Sequence, residues 1–336
     1  MKYERARFWD QKQESTVKCE LCSRECVIKP GGVGFCGVRQ NQDGELKTLN
    51  YHCLCSANAD KIEKKPLNHF LPSTSSFSIC APGCNFRCKF CQNWQISQIN
   101  QQLLERTSKV CPEDIAESAI KHNCKSISYT YTEPTIFYEL AEDTALAARE
   151  KGLKNVFVTN GYMKPQVWEK ASGWLDAANI DLKANTEDFY RDFCSATLAP
   201  VKESIKLALN LGIWIELTTL LIPGLNDSDE EIHSIAEFIA GEVSEFVPLH
   251  LSAFYPCAEM KDTPAQTPER IQKACEIARD TGLKYVYPGN VMLDSNTYCH
   301  NCGKLIISRS GFSADPDGVI KGKCELCGAE IPGVFE

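Results

Sequence analysis

The sequence predicts an α/β fold of parallel βα units, flanked at both ends by Cys-rich segments. From about residue 75, short β-branched or aromatic runs alternate with helical stretches, six times or more. Of the 19 Cys, 11 fall in three tight groups, two of which lie outside the alternating region. Hydrophobic residues are 43% of the 336 and charged residues 24%, so a chain of this length builds its core without disulfide staples. The expected parts are a four-Cys segment over 1–56, the βα region over 57–295 and a four-Cys ribbon over 296–336.

Taken in order, the first segment holds Cys19, Cys22, Cys26 and Cys36 around a Gly-rich stretch, Pro30 to Gly37, that reads as tight turns. Asp60 to Leu67 is charged, carries Pro66 and reads as a connector. Strands are expected at Phe77–Cys80, Ser126–Thr130, Asn155–Thr159, Ala177–Leu182, Trp214–Leu221, Leu249–Phe254 and Tyr285–Tyr287. Helices are expected at Pro112–His122, Thr135–Lys151, Pro165–Ala171, Val201–Leu211, Ser228–Ala240 and Pro268–Thr281. Pro112 and Pro268 suit a first helical turn, Ser228 suits an N-cap, and Gly152, Gly212 and Gly282 suit the left-handed position after a helix. Such a series predicts a barrel or partial barrel; a doubly wound open sheet is the competing architecture. The last segment holds Cys299, Cys302, Cys324 and Cys327, with a short strand expected at Lys304–Arg309.

Function classes narrow on charge and hydropathy. A net charge of −8 argues against broad nucleic-acid binding through phosphates. No apolar run reaches the roughly 20 residues that span a membrane, and the N-terminus lacks a signal-peptide core. The cytoplasm is the expected compartment, and in a reducing cytosol so many Cys point to metals or clusters rather than disulfides. The C-terminal pairs match a zinc ribbon, with a second iron–sulfur cluster as the alternative. Cys19, Cys22, Cys26 and Cys36 leave zinc, a cluster and loose thiols open. Cys53, Cys55, Cys80, Cys111, Cys124, Cys194, Cys257 and Cys275 read as buried small apolar residues.

The central group is Cys84, Cys88 and Cys91, spaced C-x3-C-x2-C on the loop that follows the first expected strand. Three thiolates so close cannot all pair as disulfides, but they can ligate three corners of an iron–sulfur cluster. A four-iron cube held by three Cys leaves one iron open. Chemistry-bearing residues then recur after successive strands: Glu133, Asn160, Asp181 with Lys183, and His250 within the sixth. A helix-start carboxylate, a surface ion pair and a core histidine are the bland readings of Glu133, Asp181–Lys183 and His250.

These residues resemble the signature of the radical S-adenosylmethionine (SAM) enzymes, and nearly the whole chain resembles the AmmeMemoRadiSam system branch. The likeness runs through Ile62 to Leu67, His69 to Pro72, Cys84 to Asn93, Tyr131 to Thr135, Asn179 to Lys183, Thr263-Pro264 and Tyr287 to Asn290. It implies a partial (βα)6 TIM-like barrel, a [4Fe–4S] cluster on Cys84, Cys88 and Cys91, and SAM at the open iron. Phe90, Glu133, Asn160, Asp181, Lys183 and His250 are the implied SAM contacts, and the Ile222 to Asp227 turn the adenine side; no catalytic residue is assigned. Gly-Gly is missing before Glu133, and Ala253-Phe254 stand where a basic substrate contact is expected. The implied activity is reductive cleavage of SAM to methionine and a 5′-deoxyadenosyl radical that abstracts hydrogen from a substrate the sequence does not name. Implied partners are a flavodoxin- or ferredoxin-type reductant and Memo-like and AMMECR-type proteins. The rival readings are a glycyl-radical enzyme activase and a non-catalytic metal-binding or electron-transfer protein.

Overall fold

The computed structural model describes residues 3–99, 104 and 108–336. Its centre is one eight-stranded sheet whose spatial order follows the sequence: β1 (Ser56–Lys61), β2 (Ser75–Cys80), β3 (Ser126–Tyr129), β4 (Lys154–Thr159), β5 (Ala177–Asp181), β6 (Trp214–Leu221), β7 (Leu249–Ala253) and β8 (Val286–Gly289). From β2 to β8 every neighbouring pair is parallel, while β1 runs antiparallel to β2. Six crossover helices join the parallel strands: α1 (Pro112–Lys121), α2 (Tyr138–Glu150), α3 (Pro165–Ala171), α4 (Ala199–Asn210), α5 (Asp229–Phe238) and α6 (Pro268–Asp280). A doubly wound sheet reverses its strand order at a switch point. This sheet never reverses, so the partial barrel stands and the open-sheet alternative falls.

The elements form where local chemistry says they should. Pro112 and Pro268 open α1 and α6, where a missing N–H costs nothing. Ser228 Oγ accepts from the Glu231 amide at 3.1 Å and caps α5. Gly152 and Gly212 take φ of 74° and 79° just past their helices, where an L side chain would be strained. One strand of this sheet escapes the sequence: β1 has no apolar alternation, because it is a polar edge that pairs only with β2.

The two faces of the sheet differ in chemistry. Ile79, Tyr129, Phe157, Ile180, Leu217 and Leu251 pack in one core with the helices. The alternate positions, among them Ser76, Ser78, Ser128, Asn179, Glu216 and His250, are just as buried but polar. Alternation therefore lines much of the inner face with hydrogen-bonding groups, while Val156 and Ala177 on the same face pack against Ile62, Leu67, Phe70 and Leu71.

Both flanks dock on this barrel. Val17, Leu21, Ile28, Val38 and Leu46 of the N-terminal segment belong to the main core. Arg39 clamps Glu139 on α2 through two bonds of 2.8 and 2.7 Å, with both side chains about 1% exposed. The C-terminal part fits a zinc-ribbon-like module with its own small core of Cys299, Ile306, Ile307, Cys324 and Ile331. Its expected strand is found at Leu305–Ser310. The chain then returns to the barrel, where Leu71 N–H donates to Val334 O at 2.6 Å and Val334 N–H to His69 O at 2.7 Å.

His69 sits at this junction. Its Nδ1 lies 2.7 Å from Pro332 O, which can only accept, so Nδ1 carries the proton and Nε2 accepts from Tyr287 Oη at 2.6 Å. Burial pulls the imidazole down to about 4. The sign follows: between about 4 and the unfolded value near 6.5 the unfolded chain binds more protons, so stability rises with pH. The contribution is full above about pH 6.5 and lost as pH falls towards 4, a span on the order of 3 kcal/mol. Urea unfolding from pH 7 to 5 should therefore show falling stability, with a shallower slope in His69→Gln. An unchanged slope would refute a buried neutral His69.

Candidate active site

The loop after β2 carries Cys84, Cys88 and Cys91, and the chain holds it on several sides. Gly83 opens it at φ 109°, and a Cβ there would stand 3.0 Å from Val38 Cγ1 and 3.1 Å from Cys36 O. Arg87 N–H and Lys89 N–H donate to Cys194 O and Phe193 O, at 3.0 and 2.9 Å, on a π-helical turn over Tyr190–Cys194. The Arg87 guanidinium donates to Cys84 O and Phe86 O, both at 2.9 Å. Cys84 Sγ accepts from Phe86 N–H at 3.4 Å, and Cys91 Sγ lies 3.4 Å from Ser97 Oγ.

The three thiols influence one another, and each is hard to ionise without a partner. Burial, the Glu133 carboxylate and the other two sulfurs push Cys84 well above the usual thiol range. The hydrogen bond shared with Cys194 and burial do the same to Cys88, and burial raises Cys91. Buried thiolates need positive charge close by, which a metal centre supplies. Cys84, Cys88 and Cys91 do not form a group of the single-ion size that the four C-terminal sulfurs do. A three-thiolate corner set for an iron–sulfur cube fits that donor chemistry.

Five of the six expected SAM contacts gather here. Phe90 is buried at the third Cys, with Lys183 Nζ 5.8 Å from its ring centre. Lys183 Nζ pairs with Asp181 at 2.9 Å beyond β5, and the two influence Cys88. Burial pulls Lys183 down, but Asp181 and the Cys88 and Cys194 sulfurs outweigh it and hold the ammonium well above its usual range. Asn160 Nδ2 lies 4.0 Å from Cys84 Sγ and donates to Asn85 Oδ1 at 2.7 Å. Glu133 is about 1% exposed, and both its oxygens are taken: Oε1 by Thr135 N–H (3.0 Å) and Thr159 Oγ1 (2.7 Å), Oε2 by Asn160 N–H (2.8 Å). Burial still raises its pKa above the usual carboxylate range. Here Glu133 caps the turn that follows it and braces the Asn160 backbone. On the Ile222 to Asp227 turn, Asn226 Nδ2 donates to Lys183 O at 2.7 Å and ties that turn to the end of β5.

His250 has other partners. Its Nε2 lies 2.7 Å from Glu216 Oε2, and its ring lies 5.3 Å from Tyr287. Glu216 also accepts the Asn68 and His69 amides at 2.9 and 2.7 Å.

Sequence reasoning passed over Asn85 and Cys194. Asn85 carries no motif signal beyond its place after Cys84. Cys194 had been grouped with the apolar cysteines; it is fully buried but lies against Cys88. Cys111 departs from that grouping outright: it is exposed, because it precedes α1 at the surface. Cys55 and Cys80 place their sulfurs 3.1 Å apart. In the C-terminal module Cys299, Cys302, Cys324 and Cys327 converge, all four sulfurs within 4.8 Å of one another, and can hold a metal ion.

The comparisons with known proteins point to one family. The family described as the radical SAM superfamily matches residues 78–239. An uncharacterized protein of Methanocaldococcus jannaschii is 44% identical over 97% of this chain and 98% of its own. A second protein of that organism, provisionally named a glycyl-radical enzyme activating enzyme, is 28% identical over 67% of this chain and 83% of its own. Among solved structures, a radical SAM methyltransferase from Sphaerobacter thermophilus shares the fold with a TM-score of 0.52 at 16% identity, over 65% of this chain and 67% of that one.

Glu133→Ala would leave the Thr135, Thr159 and Asn160 donors buried without an acceptor. A loss of stability on the order of 3 kcal/mol is expected in urea unfolding, with a smaller loss for Glu133→Gln. An Ala variant as stable as the parent would overturn the bracing role.

Proposed function

The chain belongs to the radical SAM superfamily, and from that premise we propose that its active site is the set Cys84, Cys88, Cys91, Asn160, Asp181 and Lys183. The observation that carries this reading is their convergence from the loop after β2 and the ends of β4 and β5 onto one end of the sheet, where barrels place their chemistry. Cys84, Cys88 and Cys91 would hold a [4Fe–4S] cluster, with one corner free for SAM. When bound, cluster and SAM supply reductive cleavage to methionine and a 5′-deoxyadenosyl radical.

The chain's own residues bind, orient and exclude water. Lys183 offers a point charge for the SAM carboxylate, held over the Phe90 ring by Asp181. Asp181 keeps a third of its side chain exposed, so it has acceptor capacity for an amino group or a ribose hydroxyl. Glu133 fixes the Asn160 turn beside Cys84, and Asn160 lends an amide to that wall. Phe90, next to the third Cys, packs its ring 5.8 Å from that of Phe189. The polar inner face of the barrel, with Ser76, Ser78 and Ser128, suits a hydrogen-bonding substrate.

The AmmeMemoRadiSam type is the reading favoured for substrate and partners, with Memo-like and AMMECR-type proteins as companions and a flavodoxin- or ferredoxin-type reductant in a reducing cytoplasm. It rests on the motifs that run the length of the chain. Activation of a glycyl-radical enzyme is the second reading, favoured by the name of the 28% identical relative. No helix among the described residues is long and apolar enough to cross a membrane.

The C-terminal set is read as structural zinc. Cys299 and Cys327 sulfurs lie 3.7 Å apart, as do those of Cys302 and Cys324. A tetrahedron of thiolates at ~2.3 Å from one ion has edges of ~3.8 Å.

Anaerobically reconstituted protein with dithionite and SAM should release 5′-deoxyadenosine. Cys88→Ala should reduce that release to background with an unchanged circular dichroism spectrum, and Lys183→Met should raise the KM for SAM roughly tenfold, the worth of one charge-assisted hydrogen bond. Turnover unchanged in Cys88→Ala would sink the assignment. Metal analysis of Cys299→Ser/Cys327→Ser should show the loss of about one zinc per chain and a lower melting temperature; zinc retained in full would exclude that site.

A further inference from the structure

Cys19, Cys22, Cys26 and Cys36 remain outside the site described above, although the fold gathers them as deliberately. Cys19 ends a short strand, and its N–H donates to Cys26 O at 2.9 Å; Glu25 N–H closes the intervening turn on Cys22 O at 3.1 Å. Cys36 arrives on a second turn, closed by Gly37 N–H to Gly34 O at 2.9 Å. All four side chains line a single cavity, whose wall also includes Arg39 and Asn85. Three of the thiols are buried and Cys26 is half-buried.

Two further observations point to a ligand for this cavity. Arg39 is 1% exposed and Asn85 0%, and each has a buried N–H group without an acceptor: Arg39 Nε and Asn85 Nδ2. Both residues form part of the cavity wall. The Arg39 guanidinium spends its other nitrogens on Glu139 and still influences the Cys19 and Cys36 sulfurs. A buried donor without a partner is costly. Sulfur acceptors inside the cavity would satisfy both groups.

The size of the donor set separates the candidate metals. Around one ion, four sulfurs close to the spacing of the C-terminal set, all within 4.8 Å. Among the described residues the N-terminal four form no such group, and a cavity lies between them. A cube carries its four thiolates on a larger tetrahedron than one ion does, because iron and sulfide fill the centre.

We propose that Cys19, Cys22, Cys26 and Cys36 hold a second [4Fe–4S] cluster, ligated at every iron by the chain. Asn85 places it beside the first site: this residue directly follows Cys84, its side chain adjoins Cys22, and it accepts the bond from Asn160, whose amide lies 4.0 Å from Cys84 Sγ. With no open iron, such a cluster serves one-electron transfer. Held there, it would take one electron from a flavodoxin- or ferredoxin-type reductant, passing from the 2+ to the 1+ state, and would return to 2+ on giving that electron to a cluster held by Cys84, Cys88 and Cys91. This relay rests on the function proposed above; the site itself does not.

The deciding protein is the triple variant Cys84→Ala/Cys88→Ala/Cys91→Ala, reconstituted anaerobically. It should retain about four iron and four sulfide per chain, and an EPR signal on reduction that SAM leaves unchanged. In the complementary variant Cys22→Ser/Cys36→Ser, iron should fall from about eight to about four per chain, with the SAM-sensitive signal retained. A triple variant without iron, or with a second zinc in its place, overturns the proposal even if the complementary variant fails to fold. Eight iron in the parent without SAM cleavage would instead sink the proposed function and leave the second cluster standing.

Discussion

A thiolate buried in protein needs positive charge beside it, and much of this chain is arranged around that requirement. Burial raises the pKa of Cys19, Cys36, Cys84 and Cys91 in two separate places. Left as thiols they are inert; as thiolates they repel one another in a medium that screens poorly. The chain supplies only part of the compensation. Lys183 serves the central set, but Asp181 pairs with it. Arg39 serves the N-terminal set, but Glu139 neutralises it. Neither cation offsets three or four thiolates, so ionisation of either set calls for further positive charge, which a bound metal centre would supply.

The barrel meets the same need from the other direction. Its outer face buries apolar side chains against six helices, and its inner face buries serines, an asparagine and a carboxylate. Several polar groups there bond one another, as Ser76 and Ser128 do at 2.6 Å, and Glu216 collects the Asn68 and His69 amides together with His250, while Ser126 Oγ is buried without a partner. An inner face of this kind stabilises less than a packed apolar one. What it provides instead is hydrogen-bonding capacity inside the barrel.

Much of this was legible beforehand, and the reasons differ between elements. The βα alternation and the caps at Pro112, Ser228 and Pro268 are local, so the sequence carries them in a few neighbouring residues. Strand β1 was not legible, because an edge strand needs no apolar face. Asp181 and Lys183 could be set on one face of a strand by alternation alone. Glu133 could be placed at a helix start, but that both its oxygens are taken by Thr135, Thr159 and Asn160 is a tertiary fact. His250 read as a strand histidine among possible ligands; its bond to Glu216 joins two residues 34 apart. Asn85 and Cys194 carry no pattern at all. Their place beside Cys22 and Cys88 comes from how the loop after β2 threads along the π-helical turn.

The Cys spacings carry less information than they seem to hold. C-x2-C occurs at Cys19–Cys22, at Cys88–Cys91, and twice in the C-terminal module. In that module the two pairs face each other across short hairpins and partly exposed turns, and the sulfurs close to the size of one ion. In the N-terminal segment the second pair is broken up: Cys26 sits four residues on, and Cys36 comes from a separate Gly turn, so the set opens around a cavity instead. In the central loop there is no second pair. The fourth corner is left to whatever lies between Lys183, Asp181 and Asn160, and none of these is a thiol. Backbone placement of the fourth Cys, rather than the repeated dipeptide spacing, is what separates the three sets: four sulfurs within 4.8 Å, four around a cavity, and three without a fourth.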